Sequence, residues 1–237
     1  MRTMGTSNLK AAAILAALAL PLPAAAQERS GLWTGIHIGL AAGYGQGNAD
    51  YAHKNVNFFG GPGGTYANDV DGAIVGLQGG YDHQIGSLVL GLEGSFLTGP
   101  EGSFDFTQYS NDTTTNVHGL GAIAGRLGYA HDRWLPYVKG GFAWADVEAG
   151  QDYYGTPSRT WSKDGWLTGY AVGGGLEAML IKGNGGQGIS VGIEYLHYEF
   201  GAHLYDGPDS LKPVGIPTQI EGDLSLDTIT AKASLRF

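Results

Sequence analysis

The chain closes on TAKASLRF, where Ile229, Ala231, Ala233, Leu235 and Phe237 alternate with Thr228, Thr230, Lys232, Ser234 and Arg236. Successive side chains of a strand point to opposite faces, so this ending has one apolar face and one polar face. The alternation recurs in Trp33–Gly47, Asp71–His83, Leu88–Thr98, Thr115–Ala130, Trp134–Val147, Gly165–Leu180, Gly188–Phe200 and Leu224–Phe237. Each segment has about ten residues or more, enough for a tilted strand to cross a bilayer. Strands of soluble sheets average about five or six. A period of two sustained over most of the chain predicts an all-β fold.

The connections between these segments alternate in length. Gly86–Ser87, His131–Arg133 and Lys182–Gln187 are short turns, whereas 48–70, 99–114, 148–164 and 201–223 are long. Short turns at one end and long loops at the other predict an eight-stranded antiparallel up-and-down transmembrane β-barrel. An even number of strands brings both chain ends to the turn side.

The faces specify which way such a barrel is turned. Ile36, Ile38, Leu40 and Tyr44 oppose His37; Leu88, Leu90, Leu92 and Phe96 oppose Glu93. Val117, Ile123, Leu127 and Tyr129 are read as opposing His118 and Arg126, and Val138, Phe142 and Trp144 as opposing Lys139. Tyr170, Val172 and Leu176 oppose Glu177, and Ile189, Val191, Ile193 and Tyr195 oppose Glu194. A soluble, lipocalin-like barrel with its apolar faces inward satisfies the same periodicity. The charges favour the membrane arrangement. Glu93, Arg126, Lys139, Glu177, Glu194 and Lys232 are three acids and three bases, one per strand, able to neutralise one another in a shared lumen. A Lys or Arg facing lipid at mid-depth costs about 2–4 kcal/mol. The aromatics fall in two groups. Tyr81, Tyr129, Trp134 and Phe237 lie near the turn side, and Tyr44, Phe96, Trp144, Trp166 and Tyr195 near the loop side. Two such belts are expected at the two bilayer interfaces.

The amino terminus agrees with export. Arg2 and Lys10 precede the apolar run 11–20, then Pro21, Pro23 and three alanines. This is the order of a secretory signal peptide, expected to span 1–26 and be cleaved after Ala26, leaving a barrel domain over 27–237. The apolar run is about half of what a spanning helix needs. The chain has no cysteine, so its fold rests on hydrogen bonding and burial. The formal net charge of −9 argues against nucleic acid as a partner.

WTGIHIGLAAGYGQG, AGRLGYAHDRWLPYVKGGFAW, VGIEYLHYEFG and the final SLRF resemble the opening strand, a central hairpin and the closing strands of small outer-membrane β-barrels of Gram-negative bacteria. These are the porin-like or OmpA-like transmembrane domains. Leu235 stands where that family more usually has tyrosine. The resemblance implies an outer-membrane location and a surface-exposed envelope protein. It also implies that the last strand, through Phe237 and Leu235, is the insertion signal read by the barrel assembly machinery. It supplies no catalytic motif.

Other chemistry is weakly signalled. His37, His118, His197 and Glu199 lack metal-ligand spacing, the glycine clusters do not lie between a strand and a helix, and His118 with Ser162 makes no triad. Neither a cofactor nor a metal is expected. The four long connections hold about twelve acids against four bases, solvated tips or a means of divalent-cation bridging to lipopolysaccharide. The expected role is therefore structural: envelope integrity and surface contact, with a side-chain-filled lumen and no catalysis. Expected partners are outer-membrane lipid and lipopolysaccharide, the assembly machinery, and extracellular or host molecules met by the loops. A narrow diffusion pore for small solutes is the alternative. A lipid-modifying enzyme and a soluble lipocalin-like binder are the outsiders.

Overall fold

The computed structural model describes residues 31–53, 65–98, 101–106, 111–153, 159–183, 187–206 and 219–237. The expected signal segment at 1–26 lies outside the described residues. The described strands are β1 (Gly35–His53), β2 (Thr65–Ile85), β3 (Leu88–Leu97), β4 (Glu101–Phe106), β5 (Asn111–Tyr129), β6 (Trp134–Tyr153), β7 (Arg159–Lys182), β8 (Gly188–Asp206) and β9 (Gln219–Arg236). Each pairs antiparallel with its neighbours, and β3 and β4 share one position between β2 and β5. The ring therefore has eight positions.

β9 closes it on β1, from His37↔Arg236 to His53↔Ile220. The last residue takes part, because Phe237 N donates to the Ile36 carbonyl at 2.9 Å. Closure leaves no sheet edge at membrane depth, as a hydrocarbon surrounding requires. Gly35, at φ 141°, lets the chain enter β1 past the Phe237 carbonyl, which a Cβ there would overlap. The short turns have their own signals. Gly86 has φ 62°, and Asp132 is the one non-glycine residue with positive φ among the described residues, at 49°.

The strands run well past the predicted alternating segments. β1 continues to His53 and β2 begins at Thr65, so much of the expected 48–70 connection is paired backbone. The other three long connections shrink likewise. Beyond the bilayer neither face must be apolar, so these residues pair without an amphipathic pattern.

One predicted face is also corrected. The β5–β6 register shifts between Val117 and Gly119, which inserts His118 as an extra residue. A bulge of one residue exchanges the faces beyond it. Val117 is thus buried in the interior, and His118 is exposed rather than sharing the interior face of Arg126.

The buried interior side chains form three tiers. Trp33, Val89, Leu135 and Met179 form an apolar plug beside the short turns. Ala41, Ile74, Leu97, Leu120, Ala143, Leu167, Leu196, Tyr198, Phe200 and Leu226 belong to a larger apolar cluster in the opposite half. The buried charges lie between the two.

The candidate functional site in the barrel interior

Glu93, Arg126, Lys139, Glu177, Glu194 and Lys232 come from six different strands and meet in the middle tier. Lys139 Nζ donates to Glu93 Oε1 at 2.7 Å and lies 2.9 Å from Glu194 Oε1. Lys232 Nζ reaches the same two acids, Glu93 Oε1 at 3.1 Å and Glu194 Oε2 at 3.0 Å. Arg126 Nη2 is 2.8 Å from Glu177 Oε1, and its Nη1 is 3.5 Å from Glu93 Oε2. All six are at most 6% exposed.

Four further residues join the tier. Arg236 Nη2 donates to Asp82 Oδ2 at 2.9 Å and to Glu177 Oε2 at 3.2 Å, while its Nη1 donates to the Trp33 carbonyl at 3.1 Å. Asp82 and Arg236 raise the balance to four acids and four bases, with buried His37 Nε2 3.7 Å from Asp82. Tyr137 donates its hydroxyl to Glu194 at 2.7 Å and lies under Arg126, 3.8 Å from ring centroid to guanidinium carbon. Its signal in the sequence was parity, since Tyr137 shares a face with Lys139.

Arginine suits the lower half of this cluster. Its planar fork can serve two carboxylates at once and stack on an aromatic ring, as Arg236 does over Trp33 at 4.7 Å. Charges this deep are tolerable only when mutually neutralised, because each costs several kcal/mol to desolvate. Among the described residues the arrangement offers paired charges and apolar seals.

The outer wall is the converse. Leu40, Leu92, Ile193 and Ile229 are 62%, 60%, 62% and 65% exposed, and belong to an apolar band spanning every ring position. A soluble barrel does not turn such a band to water while burying its lysines, so the lipocalin-like arrangement is excluded. Tyr81, Tyr129, Trp134 and Phe237 are exposed on this wall at the turn end, and Tyr44, Phe96, Trp166 and Tyr195 toward the other end. Trp144 is only half-buried there, its indole lying over Gly121 on the paired strand and 6.1 Å from the Phe142 ring. Leu235 is exposed on the same wall.

The histidines are dispersed. His37 is interior, His118 faces outward on β5, and His197 lies outward on β8. His197 Nδ1 is 2.9 Å from Asp227 Oδ1, which also accepts the Tyr195 hydroxyl at 2.6 Å. The side chain of Ser162 and most of the acidic connection residues lie outside the described side chains.

A closed antiparallel ring with an apolar outer wall and a neutralised, filled interior is a transmembrane β-barrel. The chain belongs to the outer membrane protein beta-barrel domain family, whose model matches residues 12–237. It is 31% identical over 191 residues to the 31 kDa outer-membrane immunogenic protein of Brucella melitensis biotype 1, covering 76% of each chain. It is 27% identical over 178 residues to the 22 kDa outer membrane protein of Rhizobium leguminosarum bv. viciae, covering 75% of this chain and 69% of that one. Among solved structures, Ail, the attachment invasion locus protein of Yersinia pestis, is 15% identical with a TM-score of 0.38, over 83% of this chain and 98% of that one. At that level the likeness adds nothing to the ring already closed by the strand pairings. The protein resides in the outer membrane.

Proposed function

We propose that this barrel is a structural, surface-contact protein of the cell envelope, without catalysis and without a conducting lumen. The observation that carries the reading is the neutral ionic tier sealed on both sides by apolar side chains. An eight-stranded ring is only wide enough for side chains to fill, and the buried interior side chains support that reading. Lipid and lipopolysaccharide contact the wall, the assembly machinery reads the strand ending in Phe237, and the outer end meets external molecules. The description of the Brucella relative as an outer-membrane immunogenic protein supports a surface-exposed role.

Single-channel recording in planar bilayers tests the lumen. The expected result is no stable conductance. A steady conductance approaching that of a general porin, lost when the interior is further filled, would replace this reading with a diffusion pore. Unchanged lipid A in cells overexpressing the protein is the expected outcome for catalysis, and altered acylation would overturn it.

A further inference from the structure

Above the apolar band the ring divides. Among the described residues the β2–β4 ladder is the single pair Asp71↔Glu101, and the β7–β8 ladder stops at Gly169↔Phe200. Beyond those levels, among the described residues, Thr65–Val70 pairs only with β1, and Gly102–Phe106 only with β5. Residues 159–168 pair only with β6, and 203–206 only with β9. The outer end is therefore two four-stranded sheets, β8–β9–β1–β2 and β4–β5–β6–β7, separated by two seams.

At the foot of the β2–β4 seam Thr98 N donates to the Val75 carbonyl at 2.9 Å, and Val75 N donates to Thr98 Oγ1 at 3.1 Å. Val75 thus directs both backbone groups toward the β3–β4 side. The β1–β2 register is unbroken from there to Thr65, so Asp69 and Ala67 direct theirs the same way, into the seam. These groups are a template for another extended backbone.

The two seams differ in charge. The segments 65–71 and 101–106 contain Asp69, Asp71, Glu101 and Asp105 and no lysine or arginine, whereas 159–168 contains Arg159 and Lys163. We propose that the β2–β4 seam docks an extended basic polypeptide, which adds as a strand to the free edge of β2 beyond Asp71. Backbone pairing supplies the grip, and the acidic segments select lysine- or arginine-bearing sequences. This rests on the surface-contact reading above and names the partner's chemistry.

The test uses the full barrel in nanodiscs and a ten-residue peptide alternating lysine and threonine. Saturable, salt-weakened binding is expected. The Ala67→Pro variant removes a seam-facing N–H while sparing the β1 ladder, and should weaken binding about five- to tenfold. Asp69→Lys, at an exposed position of β2 beside that edge, should weaken binding of the lysine peptide by a similar factor. A peptide N-methylated at alternate residues, or one with glutamate for lysine, should not bind. Equal binding of the N-methylated peptide, or no effect of either variant in a correctly folded barrel, overturns strand addition. Asp69→Cys, at an exposed position, labelled on intact cells with an impermeant maleimide, separates the failures. Labelling without peptide binding removes only the docking site; absence of labelling removes the surface-contact reading itself.

Discussion

Arg236 and Asp82 are 154 residues apart in the chain and 2.9 Å apart in the barrel interior. The last residue of the closing strand thus reaches the far end of β2, and through Glu177 also holds β7. Arg236 faces the interior while Phe237 faces outward, so one dipeptide ends the chain in both environments. Arg236→Ala would leave Asp82 and Glu177 short of a cation. Removing one partner of a buried pair costs about 3–5 kcal/mol. The expected result is a lower midpoint of urea unfolding in detergent, with unchanged strand content by circular dichroism.

Arg126 makes the corresponding connection higher in the tier, to Glu177, Asp82 and Glu93. Arg126→Ala should lower the thermal midpoint in detergent. The double substitution Arg126→Met with Glu177→Leu should be less harmful than Arg126→Ala, because it leaves fewer buried charges without a partner. Melting temperatures for both variants check this ordering, and an unchanged midpoint for Arg126→Ala contradicts the role of the network.

Deletion of Phe237 separates assembly from stability. It removes the Phe237 N–Ile36 O hydrogen bond and one exposed aromatic, a small loss beside the rest of the β1–β9 ladder. Surface levels in cells should fall severalfold, while the barrel refolded into detergent keeps its heat-dependent gel migration. Normal surface levels would refute an insertion role for this residue.

On the lipid wall, Leu92→Arg should destabilise the barrel by about 2–4 kcal/mol in a bilayer, because the side chain lies in the apolar band. Unfolding from lipid vesicles measures it. Gly121→Ala makes a different prediction. A Cβ there would overlap the Trp144 indole, so the ring must turn toward lipid. The Trp144 contribution to fluorescence, taken as the difference from Trp144→Phe, should change while the fold persists.

The wall and the ring order were legible because hydrocarbon on one side enforces a strict period of two. The same pressure ends at the bilayer surface, which is why the alternation stops several residues short of the outer ends of β1 and β2. His118 shows the limit of parity: one inserted residue moves Val117 inside, and nothing in VHGL marks the bulge. The mid-strand charges were recognisable from their faces. Asp82 and Arg236 lie on those faces too, but near strand ends. Tilt and stagger of the strands bring such ends level with the middle of their neighbours, so position along one strand does not report depth. The two seams depend on backbone pairing above the membrane, where composition carries no comparable constraint.

The central claim, an apolar wall outside and a filled ionic interior, is most directly tested by spin-label accessibility. The chain has no cysteine, so Leu40→Cys, Leu92→Cys and Ile193→Cys on the wall, and Ala122→Cys and Thr230→Cys inside, can each be labelled singly. In lipid vesicles the wall labels should collide with oxygen and not with a water-soluble nickel chelate. The interior labels should be shielded from both. Collision of the chelate with labels at 122 and 230, in barrels that retain heat-dependent migration, would mean an aqueous lumen and would contradict the account.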